Sequence, residues 1–273
     1  VNEGTNAMIS FSPDSGYRIK SVKGGNFDVT ASVSNNSYTV SNIQSNTTVA
    51  VEFAEAIKVF ASQGVNYTVT SYEGKTVSVA SGDYGKVLDI PATVEYQGDV
   101  WKVIGIDKDA LNGSDLLAAI IWNAKTSFTA TVSNPNLLLY VTDSSYAPIS
   151  IKNVVVNNNA VSITLTNAAS GNNFYCPQEF TAQRISYTHI YEMATGIGEA
   201  KGWETIALPF DVQRVTHDSK GELNPFAKWK SGDTAKPFWL MKLSGDGWKT
   251  ADGIQANTPY IISMPNNEKY KDE

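Results

Sequence analysis

The chain carries two imidazoles, His189 and His217, and a single thiol, Cys176. Nucleophilic catalysis needs a base held against a nucleophile, and no serine here sits in a Gly-x-Ser-x-Gly elbow. Cys176, in Phe174-Tyr175-Cys176-Pro177, occupies a setting that suits a small buried hydrophobe. His189, in the alternating string Tyr187-Thr188-His189-Ile190-Tyr191, reads as a strand residue on a polar face, and His217 as a turn residue. A Cys–His pair assembled from distant positions stays open. So does a carboxylate pair roughly 5–10 Å apart, as glycoside hydrolysis needs. Asp211, Asp218, Glu222, Asp246 and Asp252 fall mainly in turn-like strings, where such residues shape the backbone. A lone cysteine excludes an intramolecular disulfide, a four-thiolate metal site and a Cys-x-x-Cys redox pair. The string from Asp107 to Gly113 imitates a calcium loop, but Leu111 stands at a ligand position and the glycine is displaced. It reads instead as a helix capped by Asp107. A nonstandard calcium site in the β modules stays open; no metal ligands and no cofactor are assigned. Gly196–Gly202 is rich in glycine but has no helix to follow, so it reads as a hairpin loop and not as a phosphate cradle.

The aromatic residues give the strongest binding signal. Trp203, Trp229, Trp239 and Trp248 all fall in the last part of the chain, with Phe226, Phe238 and Tyr260. An exposed indole can stack on a sugar face while neighbouring Asn and Asp take its hydroxyls. Trp203 and Trp239 lie at strand edges and are expected in the core. Trp229, in Lys228-Trp229-Lys230, and Trp248, in Asp246-Gly247-Trp248-Lys249, sit in polar strings and are the candidate ligand-binding rings. Trp122 ends an apolar string; it is carried as a third candidate, with stacking between coils as its simpler role.

Those rings need β elements to hold them. Three apolar strings recur at intervals of seventeen and eighteen residues, through Ile104, Ile121 and Leu139. A recurrence near twenty residues marks a solenoid in which each coil adds one strand to a parallel ladder, so these three residues are expected as ladder neighbours. Residues 1–55 alternate with period two between turn signals such as Asn35-Asn36 and predict a small antiparallel unit. After Pro148 the coil spacing stops. Strands are expected over Ile149–Val156, Val161–Leu165, Phe180–Tyr187, Thr205–Leu208, Phe238–Leu243 and Tyr260–Ser263, with loops at 157–159, 171–173 and 196–202. The expected architecture is mainly β in three parts: a small antiparallel β repeat at 1–55, a short solenoid at 56–148 and a β-sandwich-like domain at 149–273. Asp107–Leu117 is expected to form one or two helical turns with Ala110, Leu111 and Leu116 inward.

Bulk properties narrow the partner. Hydrophobic residues make up 42% of the chain and charged residues 18%, enough apolar content for a folded core. The net charge of −6, with no concentrated basic face, argues against a nucleic-acid or anionic-membrane partner. No run approaches the ~18 apolar residues of a membrane span.

Certain strings resemble known families. Val1-Asn2-Glu3-Gly4, Ile9–Tyr17 and Asn46–Phe53 are similar to the internalin-B-type repeat of bacterial surface proteins. That family carries a further strand before the "V-x-E-G" string, so the resemblance implies a fragment that starts inside a domain, with an open sheet edge. Val87–Ile106 resembles the approach to the BspA-type leucine-rich repeats of Bacteroidetes surface proteins, in which an "IP-x-x-V" turn, a hairpin and a "V-x-x-I" strand precede the coils. Phe180-Thr181-Ala182, Gly202–Val212 and Ala256–Ile262 resemble the module that follows such repeats. Asp233-Thr234-Ala235 resembles the site of O-glycosylation in exported proteins of that group. The resemblance implies a non-catalytic cell-surface or secreted protein, outward facing on a bacterial outer membrane, binding an extracellular protein or glycan as an adhesin. Two alternatives stand beside it: a carbohydrate-binding accessory module of a glycan-uptake system, and a hydrolase with non-contiguous catalytic residues.

Overall fold

The computed structural model describes residues 1–167, 174–191, 193 and 201–264; the expected loops at 171–173 and 196–200 lie outside them. The protein is mainly β, and the described residues include two short 3-10 turns, Thr30–Ser32 and Ser144–Tyr146. It divides into two compact units, one of residues 1–165 and 169–187, the other of 166–168 and 188–273.

The first unit begins with β1 (Ala7–Ser10), β2 (Tyr17–Gly24), β3 (Phe27–Asp28), β4 (Ser37–Val40) and β5 (Val49–Glu55). They form two small antiparallel sheets, β1–β4 and β3–β2–β5. Their core is thin: Val22 is fully buried, Phe11 nearly so, and most other apolar positions stay half-buried.

Next come β6 (Val59–Ser62), β7 (Val65–Ser71), β8 (Thr76–Val79), β9 (Val87–Ile90), β10 (Thr93–Tyr96) and β11 (Asp99–Ile106). All but β9 form one sheet in the order β10–β11–β8–β7–β6, antiparallel apart from the β11–β8 pair. The sheet curls until its two edges meet, and Phe60 on β6 stacks on Tyr96 on β10 at 4.3 Å. Tyr67, Val77, Val79 and Val103, all fully buried, fill the curl together with Trp101. The hairpins that define it turn through Gln63-Gly64 and Gln97-Gly98, each pair with positive φ at both residues, as type I′ turns require.

Tyr67 lies in this interior with its phenol O–H unpaired among the described residues. Burial pushes its pKa up to about 12, with Tyr84 and Asp89 adding to the rise. A free phenol titrates near 10, so the unfolded chain gives up this proton first as pH rises. The stability from keeping Tyr67 neutral is therefore complete below about pH 10 and is lost between about pH 10 and 12. Tyr67→Phe is expected to be neutral or slightly stabilising near neutral pH, because it removes an orphaned donor, and to flatten that alkaline loss. Denaturant melts at neutral pH and above pH 10 check both.

The ladder follows: β12 (Ala119–Trp122), β13 (Leu138–Val141), β14 (Asn153–Val156), β15 (Asn159–Thr166) and β16 (Thr181–Thr188). The sheet order is β16–β15–β14–β13–β12–β9, and the four strands from β9 to β14 are parallel. Ile121 and Leu139 thus lie on neighbouring strands, one register step apart, since Ile121 faces Tyr140 and Leu139 faces Ile120. Ile104 does not join them. It is the extra residue of a bulge in β11, where Val103 pairs with Val77 and Gly105 with Ser78, and its side chain is 36% exposed. The outermost ladder strand is β9 instead, with Asp89 facing Ile121.

Asp107–Leu117 forms a run of turns and no helix, closed by bonds such as Ala110 N–H to Asp107 C=O and Ser114 N–H to Leu111 C=O. Ala110, Leu111 and Leu117 point inward, whereas Leu116, expected inside, is 56% exposed. Asp107 caps strands and not a helix: its carboxylate accepts from Ser78 Oγ and from Thr68 Oγ1, the latter at 2.9 Å.

Three strands expected in the C-terminal domain, β14, β15 and β16, belong to this ladder sheet, so the expected boundary at 148/149 falls inside it. Val155, Ala160, Ile163 and Leu165 are buried, as are Ala119, Leu138 and Tyr140, and all of them lie outside the main core cluster. Asn157-Asn158, again both at positive φ, turn β14 back into β15.

The second unit holds β17 (Glu204–Ile206), β18 (Val215–His217), β19 (Gly221–Pro225), β20 (Lys236–Ser244), β21 (Gly247–Thr250) and β22 (Tyr260–Ser263). These strands make one sheet in the order β17–β22–β20–β19–β18, with β21 also on β20. Phe238, Leu240, Tyr260, Ile262, Ile206, Leu208, Leu223 and Ile254 are its buried apolar residues.

Candidate functional site

β20 runs Lys-Pro-Phe-Trp-Leu-Met-Lys-Leu-Ser and is apolar on both faces. Successive side chains of a strand point to opposite sides. Phe238 and Leu240 take the inner side and are buried, so Trp239, Met241 and Leu243 must take the outer side. Trp239 is 39% exposed and Leu243 is 58% exposed. Leu243 faces Trp248 across the β20–β21 hairpin, which puts that ring on the same side, 48% exposed.

Around Trp239 the rings form a strip. Trp203 lies 6.3 Å from Trp239 between ring centroids, Phe226 lies 4.2 Å from it, and Trp229 meets Phe226 edge-on at 6.1 Å. Trp229 is half-buried, and its indole N–H donates to the Ala235 carbonyl at 2.9 Å. It braces Phe226 and is not a free platform. Thr205 opposite Ile261 and Thr250 opposite Met241 place hydroxyls on the same face. Lys228 and Lys230 stand exposed beside Trp229. Four residue steps separate Trp239 from Leu243, about 13 Å along the strand, so the Trp239 strip and the Trp248 ring bound a face longer than one sugar ring.

The indoles thus sort differently from the sequence expectation. Trp239, expected in the core, is the most open ring of the strip. Trp248 is exposed as expected. Trp122 is not a binding ring: it is fully buried, packs against Phe128 at 4.4 Å and donates its N–H to the Thr126 carbonyl. The double-faced apolar pattern of β20 was the signal for the strip, because a strand with one sheet face in water should alternate with polar residues.

The nucleophile and base candidates have local partners. Cys176 is exposed, not a buried hydrophobe, and its thiol donates to the Gln178 carbonyl at 3.0 Å with Tyr140 Oη at 3.5 Å. His189, just past β16, pairs with Glu204 through Nε2 and Oε2 at 2.8 Å and meets the Tyr191 ring edge-on. His217 Nδ1 accepts from the Ser219 backbone N–H at 3.1 Å. The carboxylates brace loops: Asp211 accepts from Ala256 N–H at 2.7 Å, Asp233 from Lys230 N–H at 2.9 Å, and Asp246 pairs with Lys249. Among the described residues no group of three or more His, Cys, Asp and Glu could hold a metal ion, and no helix is long and apolar enough to cross a membrane. Thr234 is exposed in the turn before β20.

No family model, no curated protein and no solved structure matches this chain.

Proposed function

We propose that this chain is a non-catalytic binding segment of a bacterial cell-surface or secreted protein, and that its second unit takes a carbohydrate on the strip formed by Trp203, Trp239 and Phe226. The observation that carries this reading is Trp239, which projects outward from β20 between two half-buried rings instead of filling the core. Keeping a large apolar surface in water is unfavourable, and a ligand that covers the rings recovers that energy. A sugar suits the surroundings: its C–H face matches the indole face, and Thr205, Thr250 and the flanking lysines offer groups to hydroxyls. The net charge of −6 disfavours a polyanionic glycan at long range, while the two flanking lysines serve as donors to hydroxyls. The resemblance to surface leucine-rich-repeat proteins supports reading such a module as part of an adhesin.

The test is titration against a panel of neutral polysaccharides and mucin glycans. Trp239→Ala is expected to weaken the best ligand by about 2 kcal/mol, about thirtyfold in Kd. Trp248→Ala is expected to weaken only ligands long enough to span both aromatic positions. Because Trp239 lies on an open face, its removal should leave the far-UV dichroism unchanged. Unaltered affinity in a folded Trp239→Ala variant would sink the reading, and retention of matrix proteins in place of glycans would return it to a protein-binding adhesin.

A further inference from the structure

The ladder carries a second feature, independent of the aromatic strip. In-register pairing places Ile121, Tyr140 and Val155 side by side as one rung on β12, β13 and β14. Two positions further on, just past the end of each strand, stands a polar residue: Asn123, Thr142 and Asn157. These residues, with Asn158 and Gln178, surround a cavity of about 260 Å3 whose floor is that rung. Tyr140 and Val155 are buried, whereas the amide and hydroxyl rim is exposed. The segment through Gln178 forms one wall, held down by the Tyr140 O–H donating to the Gln178 carbonyl at 2.9 Å and by Phe180 edge-on to the Tyr140 ring.

We infer that this cavity is a binding site for a small neutral polyol, a monosaccharide or the end of a glycan chain. Its volume lies below the ~300–1,000 Å3 typical of sites for drug-sized ligands, which limits the occupant to about one sugar ring. No lining residue is charged, so a carboxylate or phosphate would be desolvated with nothing to pair it, and an ammonium would find only the exposed, water-screened Asp89 carboxylate that Asn123 engages. A purely apolar occupant would bury the rim amides without partners. A ring with C–H bonds on one face and hydroxyls at its edge satisfies both surfaces, because each carboxamide offers a donor and an acceptor. The rim is partly prearranged: Asn123 Nδ2 donates to Asp89 Oδ1 at 3.0 Å, and Asn157 Nδ2 donates to the Thr142 carbonyl at 2.9 Å. Both bonds engage an N–H of the carboxamide, and the amide oxygen is the group that would accept from a sugar hydroxyl.

The experiment is saturation-transfer NMR and calorimetry of the whole chain with a panel of neutral monosaccharides, alongside glucuronic acid and glucosamine as charged counterparts. At least one neutral sugar is expected to bind saturably and its charged counterparts to bind less well. Asn123→Ala should weaken that sugar roughly tenfold, and Thr142→Trp, which places an indole over the mouth from an exposed position, should abolish binding. The parent chain and both variants are compared in a Trp239→Ala background, which removes the proposed glycan strip and leaves the cavity to be read alone. The inference is overturned if no neutral monosaccharide saturates at tens of millimolar. It is equally overturned if binding in that background survives Thr142→Trp, or if the charged sugars bind as well as the neutral one.

Discussion

Replacing Trp122 by alanine should lower the stability of the first unit by about 3–5 kcal/mol. The indole has no exposed surface and lies in a rung between Ile90 and Val141, so neighbours on both adjacent strands lose contact together. Phe128 closes the far side, and the Thr126 carbonyl would be left without its indole donor. Collapse into the space is limited because the strands are fixed to one another by ladder hydrogen bonds. Trp122→Phe refills most of the volume and forfeits mainly the N–H bond, so it should cost about 1–3 kcal/mol. Urea melts of both variants provide the check. A loss under about 1 kcal/mol for alanine would mean that the ladder core can repack, contrary to close packing of the interior. Glycan binding on the Trp239 strip should match that of the parent chain in either folded variant, since Trp122 belongs to the first unit and the strip to the second.

An equally large loss is expected from Asn153→Leu, although leucine is similar in size and the site is buried. Asn153 is 1% exposed and begins β14. Its Nδ2 donates to the Pro135 carbonyl at 3.1 Å and to the Thr164 carbonyl at 3.0 Å, and its Oδ1 accepts from Thr164 N–H at 2.8 Å. One side chain thus serves three backbone groups and ties β14 both to the segment leading into β13 and to β15. Leucine would leave those groups unpaired away from water at about 1–3 kcal/mol each, or about 3–9 kcal/mol together. That is a large share of the 5–15 kcal/mol typical of a whole domain. Asn153→Ala leaves room for a water to bridge some of these groups and should cost less than Asn153→Leu. The reverse order in a denaturant series would show that hydrophobic burial outweighs the hydrogen bonds here.

Turns and strands were the most legible part of the fold. Asn35-Asn36 announced its turn because both residues tolerate positive φ, and Gln97-Gly98 lay inside an expected hairpin. Ladder membership was harder to read. Periodicity counts residues without knowing where a bulge absorbs one, so Ile104 was counted as a coil residue although the bulge turns it out. The strand that replaces it, β9, carries Asp89 in its apolar string and resembled part of a hairpin. β14 was missed as a coil strand because its spacing from β13 shrinks and because a polar residue, Asn153, opens it. Its three hydrogen bonds make that residue fit a buried position, something composition cannot display. At the candidate site, polar neighbours suggested that Trp229 and Trp248 were exposed, but Trp229 spends its polar handle on Ala235. Exposure of Trp239 depends on which side of the second unit's sheet is covered, a tertiary property that the apolar pattern of β20 leaves undetermined.

The turn at Asn157-Asn158 limits how this architecture can lengthen. Where β14 would otherwise offer its free edge to another parallel strand, the chain doubles back and β15 occupies that edge in the opposite direction. A further coil placed after β14 would find its hydrogen-bonding row already taken. One spliced between β12 and β13 would meet parallel edges on both sides and could be accommodated if its apolar rungs matched. On that side the solenoid can therefore grow only by insertion, and the edge the sheet presents there is that of β16 and not of a coil strand.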